Sequence, residues 1–152
     1  MRIRISFFAI LAISITLFGA PVLHAQNATP TSPSWRVCFT PGEQCADQLV
    51  AVLDAAKSSI RVQAYSFTAK DIADALIRAQ ARGVDVVVIL DKSQTRERFS
   101  MIDEMKDGGI LVYIDDCCAI AHNKVMIIDE RIVVTGSYNF TKSAELLSLI
   151  HI

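Results

Sequence analysis

From residue 35 onward the chain alternates between two hydrophobic periods. Leu49, Val50, Leu53 and Ala56 fall on one helical face of Ala46 to Lys57. Ile72, Leu76 and Ala79 do the same within Ala69 to Arg82, where Thr68 stands as a candidate N-cap and Gly83 as a stop. Ile60 to Tyr65 alternates as a strand, and Val84 to Leu90 is a nearly continuous β-branched run that suits a sheet covered on both faces. Gln94 to Asp107 predicts a third helix ended by Gly108-Gly109, followed by a strand from Ile110 to Ile114. Lys124 to Ile128 and Arg131 to Thr135 are separated only by Asp129-Glu130, the spacing of a hairpin. Upstream, Trp35 to Phe39 reads as a short strand closed by Pro41-Gly42. Strands alternating with helices of a dozen residues predict an α/β fold, a mixed β-sheet sandwiched between helices, with no internal repeat.

The first residues follow a different logic. Arg2 and Arg4 precede a predominantly apolar run of 14 residues from Ile5 to Phe18, then Gly19-Ala20-Pro21 and Leu23-His24-Ala25. The run is short of the ~20 residues that span a bilayer. A polar Pro/Ser/Thr stretch follows it, so residues 1–25 read as a secretory signal peptide, 26–34 as a linker and 35–152 as the domain. No stable membrane span is expected after cleavage, and the expected location is secreted or periplasmic. With 15 Lys+Arg against 16 Asp+Glu, a charged fraction of 20% and a net charge of -1, the composition excludes a disordered acidic tail and a basic nucleic-acid arm. Loss of Arg2 and Arg4 on cleavage leaves the mature chain at about -3.

Export changes how the four cysteines read, because oxidising compartments permit disulfides. Cys38 and Cys45 flank Pro41-Gly42 and are close enough for a small looped disulfide, with two half-buried thiols as the other reading. Cys117-Cys118 is a vicinal pair with poor geometry for mutual bridging, and no His or further Cys stands at zinc-ligand spacing. Asp115-Asp116 reads as a solvated turn in preference to a metal site, and Trp35 as packing in preference to base stacking.

The chemistry concentrates in Ala121 to Asp129, continued by Gly136-Ser137-Tyr138-Asn139. On a strand, residues two apart point to one face about 7 Å apart, so His122 and Lys124 can reach the same tetrahedral anion. Asp129 has the opposite parity and lies at the hairpin turn. It meets His122 only if the chain bends or a second copy supplies the partner. Gly136 permits close backbone approach, and Ser137 and Asn139 add donors for a phosphate. Each residue alone has an ordinary structural explanation. The joint spacing His-x-Lys-x4-Asp-x6-Gly-Ser-x-Asn singles out an anion site with a nucleophile.

With this motif, and with Cys38 to Gly42, Lys57 to Ile60, Gln63 to Thr68, Arg82 to Val86 and Ala119 to Lys124, the chain resembles the phospholipase D superfamily. Within it, the likeness is to the small secreted single-motif bacterial endonucleases. The resemblance covers roughly Val37 to Glu145. It implies a phospholipase D-like single-motif domain that hydrolyses phosphodiesters with no cofactor and no metal. His122, Lys124 and Asp129 would be catalytic, and Gly136, Ser137 and Asn139 would hold phosphate. One motif per chain implies a homodimer in which two motifs meet. Nucleic acid is the expected substrate, with phospholipid head groups as the alternative and a non-catalytic remnant as a third reading. Arg61, Arg82, Arg96 and Arg98 are candidates for local positive charge. Relatives are expected to continue past Glu145 with an acidic segment, a strand and a last helix. This sequence runs from Glu145 into Leu149-Ile150-His151-Ile152, which predicts a C-terminal strand and helix left incomplete.

Overall fold

The structure, a computed structural model, describes residues 32–147. The signal peptide and most of the linker lie outside the described residues. Five strands form one mixed sheet: β1 Ser59–Ala64, β2 Asp85–Asp91, β3 Leu111–Asp115, β4 Lys124–Ile128 and β5 Ile132–Thr135. Their order is β3-β2-β1-β4-β5. β1 pairs in parallel with β2 and β2 with β3, whereas β1–β4 and β4–β5 are antiparallel. Parallel neighbours need crossovers. Helix α2, Lys70–Ala81, links β1 to β2. A 3₁₀ turn at Lys92–Thr95 and helix α3, Ile102–Asp107, link β2 to β3. Helix α1, Cys45–Ala55, precedes the sheet and the short α4, Lys142–Leu146, follows it.

Strand parity decides what the sheet buries. Ile60, Val62 and Ala64 of β1, Val86, Val88 and Leu90 of β2, and Met126 and Ile128 of β4 share one core with Leu53, Ile72, Leu76 and Met105 from the helices. Each large side chain fully withdrawn from water contributes about 1.5–3 kcal/mol before entropy is counted. The opposite parity carries Arg61, Leu111, Tyr113 and Ile127, all exposed, and Val87 and Ile89 are only half-buried. Burial of β2 therefore alternates among the described residues, where its β-branched run predicted two covered faces. Glycine matters at two positions. Gly83 ends α2 at φ +88, and a Cβ at Gly108 would lie 2.7 Å from Ile77, so α3 closes on α2 only without one.

Three local expectations are corrected. Residues 36–39 form no strand. A disulfide joins Cys38 to Cys45, tying the segment to the start of α1 instead of to a sheet edge. Thr68 does not cap α2, whose N-cap is Ala69 with no side-chain bond, because the Thr68 and Ala69 N–H groups both donate to the Phe140 carbonyl. The third helix is shorter than its periodicity. Asp91 accepts the Ser93 N–H and caps a single 3₁₀ turn, and buried Gln94 turns inward to accept the Phe67 N–H. The chain reaches α3 only at Ile102. The hairpin forms with a connection one residue longer than expected: Ile128 pairs with Ile132, so Asp129, Glu130 and Arg131 make the turn, with Asp129 at φ 52 and Glu130 at φ 55, the left-handed pair that matches strand twist.

Candidate active site

Because β1, β2 and β3 run in parallel, their C-terminal ends lie along one edge of the sheet. Antiparallel β4 begins at that edge, with Lys124 opposite Ala64. Ligands of open α/β sheets gather at this kind of edge, where loops leave the strands. The Tyr65 N–H donates to the Asn123 carbonyl at 2.8 Å and extends the β1–β4 pairing by one step. That bond sets the Tyr65 ring between the two residues of interest. The exposed His122 ring meets it tilted by 59° at 4.6 Å between centroids, and Lys124 Nζ lies 5.4 Å from the ring centre.

Lys124 is buried, with 7% of its surface exposed, and burial holds its pKa below the ordinary lysine value. Its ammonium donates to the His122 carbonyl at 3.0 Å, and no carboxylate pairs with it among the described residues. A desolvated cation without a counter-ion binds an anion strongly, since the anion supplies the missing charge.

The segment 136–141 returns to the same edge. Phe140 accepts from Thr68 and Ala69, and its ring meets Phe67 at 5.7 Å. This places Ser137, exposed, and Asn139, partly buried, on the site's side of the sheet. Asn139 Oδ1 is buried with no hydrogen-bond partner among the described residues, a state that native structures rarely tolerate without a ligand or water to relieve it. Gly136, also exposed, starts the turn that carries both.

Asp129 is elsewhere. Strand β4 separates it from Lys124 by five residues, about 16 Å. Its carboxylate accepts the N–H groups of Lys57, Ser58 and Ser59 and the Ser58 hydroxyl at 2.7–3.1 Å. The Ser58 N–H, followed by those of Ser59 and Lys57, holds it far below the usual carboxylate range. Within one chain Asp129 therefore does not meet His122: its lone pairs bind the loop that enters β1. It acts as a clamp on the fold.

Two residues that the sequence reading left without a role support the site. Tyr65 is the ring shared by His122 and Lys124. Asp91, 2% exposed at the end of β2, accepts from Ser93 and, through Oδ2, from the Ala121 N–H at 2.7 Å, anchoring the residue before His122. Ser93 first, and then Ala121, lower its pKa. A carboxylate closing an apolar strand was the available signal. Of the candidate arginines, Arg61 is held by Asp85, and Arg82 by Asp54 and the Leu53 carbonyl. Arg96 and Arg98 are exposed beyond the 3₁₀ turn, on the loop that follows the catalytic edge of β2, without an ion pair among the described residues. Among the described residues no three His, Cys, Asp or Glu side chains converge as metal ligands, and no helix is long and apolar enough to cross a membrane.

The family described as cardiolipin synthase, PLD-like domain, matches residues 49–149. A phospholipase D of Rickettsia prowazekii is 46% identical over 132 residues, which are 87% of this chain and 64% of that protein. The chain spans just under two-thirds of the length of such relatives. Among solved structures, the phospholipase D family member Nuc from Salmonella typhimurium superposes with a TM-score of 0.68 at 42% identity, covering 72% of this chain and 74% of that one. NucT from Helicobacter pylori gives a TM-score of 0.64 at 30% identity over 70% and 75%.

Proposed function

The chain belongs to the phospholipase D-like family, and from that premise we propose that it is a secreted or periplasmic phosphodiesterase that cleaves nucleic acid, chiefly DNA, through a phosphohistidine. The carrying observation is the exposed His122 ring beside the desolvated Lys124 ammonium, which among the described residues has no carboxylate partner. An anionic diester repels nucleophiles until fixed positive charge meets its non-bridging oxygens. Lys124 supplies that charge, and the Nδ2–H of Asn139 and the Ser137 hydroxyl add donors, so no metal is required.

Neutral His122 attacks phosphorus and forms a phosphorus–nitrogen bond as the leaving oxygen departs. The oxygen needs a proton, which the attacking imidazole cannot give in the same step. A second His122, protonated, donates it, then takes a proton from water so that hydroxide can release the phosphohistidine. With one motif per chain, the second imidazole belongs to another copy in a two-fold homodimer. Nucleic acid is favoured by the likeness to Nuc and NucT and by Arg96 and Arg98 beside the catalytic edge, where phosphate-binding charge is wanted. The name phospholipase D borne by the Rickettsia relatives supports a second reading, hydrolysis of phospholipid head groups.

Incubation of the purified chain with labelled DNA and with a diacyl phospholipid, each with and without EDTA, tests both. Cleavage of DNA that survives EDTA and falls on dilution of the enzyme is expected. Cleavage confined to the lipid overturns the substrate assignment, and EDTA sensitivity restored by Mg²⁺ overturns the metal-free mechanism.

A further inference from the structure

We propose that the adjacent residues Cys117 and Cys118 form a thiol–disulfide exchange site, and that their closure into a vicinal disulfide displaces the loop that presents His122. Both thiols are free and exposed, and their sulfurs lie 3.1 Å apart. They stand on residues 116–121, an irregular segment between β3 and β4 that leads directly to His122. Three hydrogen bonds fix this segment. The Cys117 N–H donates to Asp115 at 3.3 Å, Lys92 Nζ donates to the Cys118 carbonyl at 2.7 Å, and the Ala121 N–H donates to buried Asp91. Asp91 and Lys92 are consecutive, so one end of β2 holds both the cysteine peptide and the residue before the catalytic histidine.

The exchange needs only a small disulfide as oxidant. The Cys118 thiolate attacks one sulfur of that disulfide, forming a mixed disulfide and releasing one thiolate. Cys117 then attacks Cys118 Sγ and expels the second. Two protein thiols are oxidised by two electrons and one small disulfide is reduced to two thiols, which carry away the protons. The order of attack follows from the surroundings. The Asp115 carboxylate lies on the Cys117 side of the pair, accepting its N–H at 3.3 Å, and the hydrogen bond with Cys118, then Asp115, push the Cys117 thiol up, so the thiol farther from the carboxylate, Cys118, is the first to attack. Once Cys118 is bound in the mixed disulfide, the larger of those influences is gone and Cys117 is freer to ionise.

Closure cannot leave the loop where it is. Adjacent Cα atoms are about 3.8 Å apart across a trans peptide, below the roughly 4.4–6.8 Å that disulfides ordinarily span. The ring therefore twists the Cys117–Cys118 peptide and turns the Cys118 carbonyl away from Lys92. Strain and exposure also make such a bond easy to reduce, so the change is reversible.

The consequence for turnover rests on the functional reading above, whereas the exchange and the loop movement do not. The full chain is titrated with glutathione disulfide as the probe and followed by peptide mapping, by amide hydrogen exchange at Ala121 and by hydrolysis of bis(p-nitrophenyl) phosphate. The expected results are a two-hydrogen mass loss confined to residues 117–118, faster exchange at Ala121, and a hydrolysis rate at least ten-fold lower that dithiothreitol restores. A double variant, Cys117→Ser with Cys118→Ser, should keep the reduced parent's rate under either condition. Thiols that only retain glutathione or cross-link chains overturn the site, and closure without altered Ala121 exchange overturns the displacement. If the reduced parent hydrolyses no diester, the functional reading fails instead, and the mass and exchange measurements still decide this proposal.

Discussion

The two ends of β4 carry residues of one contiguous motif and treat them in opposite ways. At the starting end, His122 is exposed, and among the described residues Lys124 is desolvated without a counter-ion and Asn139 Oδ1, in the segment after β5, has no partner. At the turn, Asp129 accepts bonds from three backbone N–H groups and a hydroxyl. Unsatisfied polarity costs free energy and persists where a ligand can relieve it, whereas saturated polarity holds structure together. A motif shared in sequence is thus divided between chemistry and architecture, and the division can be attacked from either end.

The largest effect is expected at the starting end. His122→Asn should lower the hydrolysis rate by at least on the order of 10³-fold while the thermal melt stays unchanged. A melt that falls with the rate would assign His122 to the fold instead. Next, Lys124→Ala should cost about 10²-fold in kcat, and the parent's activity should decline at a pH below the ordinary lysine range, since burial lowers the Lys124 pKa. A rate unaffected by the substitution would break the proposed role of the cation.

At the turn the pattern should reverse. Asp129→Asn weakens four acceptor bonds, so the melting temperature should drop by several degrees while kcat per folded molecule stays within about two-fold. A large kcat loss with an unchanged melt would return Asp129 to the chemistry. The smallest expected effect is a pH dependence. The pKa values of Asp129 and Asp91 are lowered in the folded chain. Their contribution is therefore present above the unfolded carboxylate value, about 4, and is lost as the pH falls through the lower folded values. Acid denaturation of Asp129→Asn should show a shallower slope over that window than the parent.

What could be read from the sequence follows the range of the forces involved. Strands β1, β2 and β4, helix α2 and the hairpin were legible because period and turn chemistry are local, and His122 with Lys124 was legible from spacing. The third helix was overestimated because Gln94 bonds Phe67, 27 residues earlier, and no periodicity encodes that exchange. Thr68 looked like a cap until Phe140 took its N–H and that of Ala69. The task of Asp129 is set by a loop some 70 residues away. Tyr65 acquires its place only from the register that sets Ala64 against Lys124.

The central position of β1 also has a consequence for the order of folding. The β4–β5 hairpin closes over a three-residue turn and can form locally within about 1–10 μs. Its pairing with β1 joins Ile60 to Ile128 and Ala64 to Lys124, partners separated by most of the domain. Such contacts wait for long loops to close. This predicts that the edge carrying His122 assembles late, when the hairpin docks. A slip of one residue at that moment would turn Lys124 to the opposite face of the sheet. Asp129 meets the Lys57–Ser59 amides only in the correct alignment, so the carboxylate saturated at the turn selects the docking register that brings Lys124 beside Tyr65 at the other end.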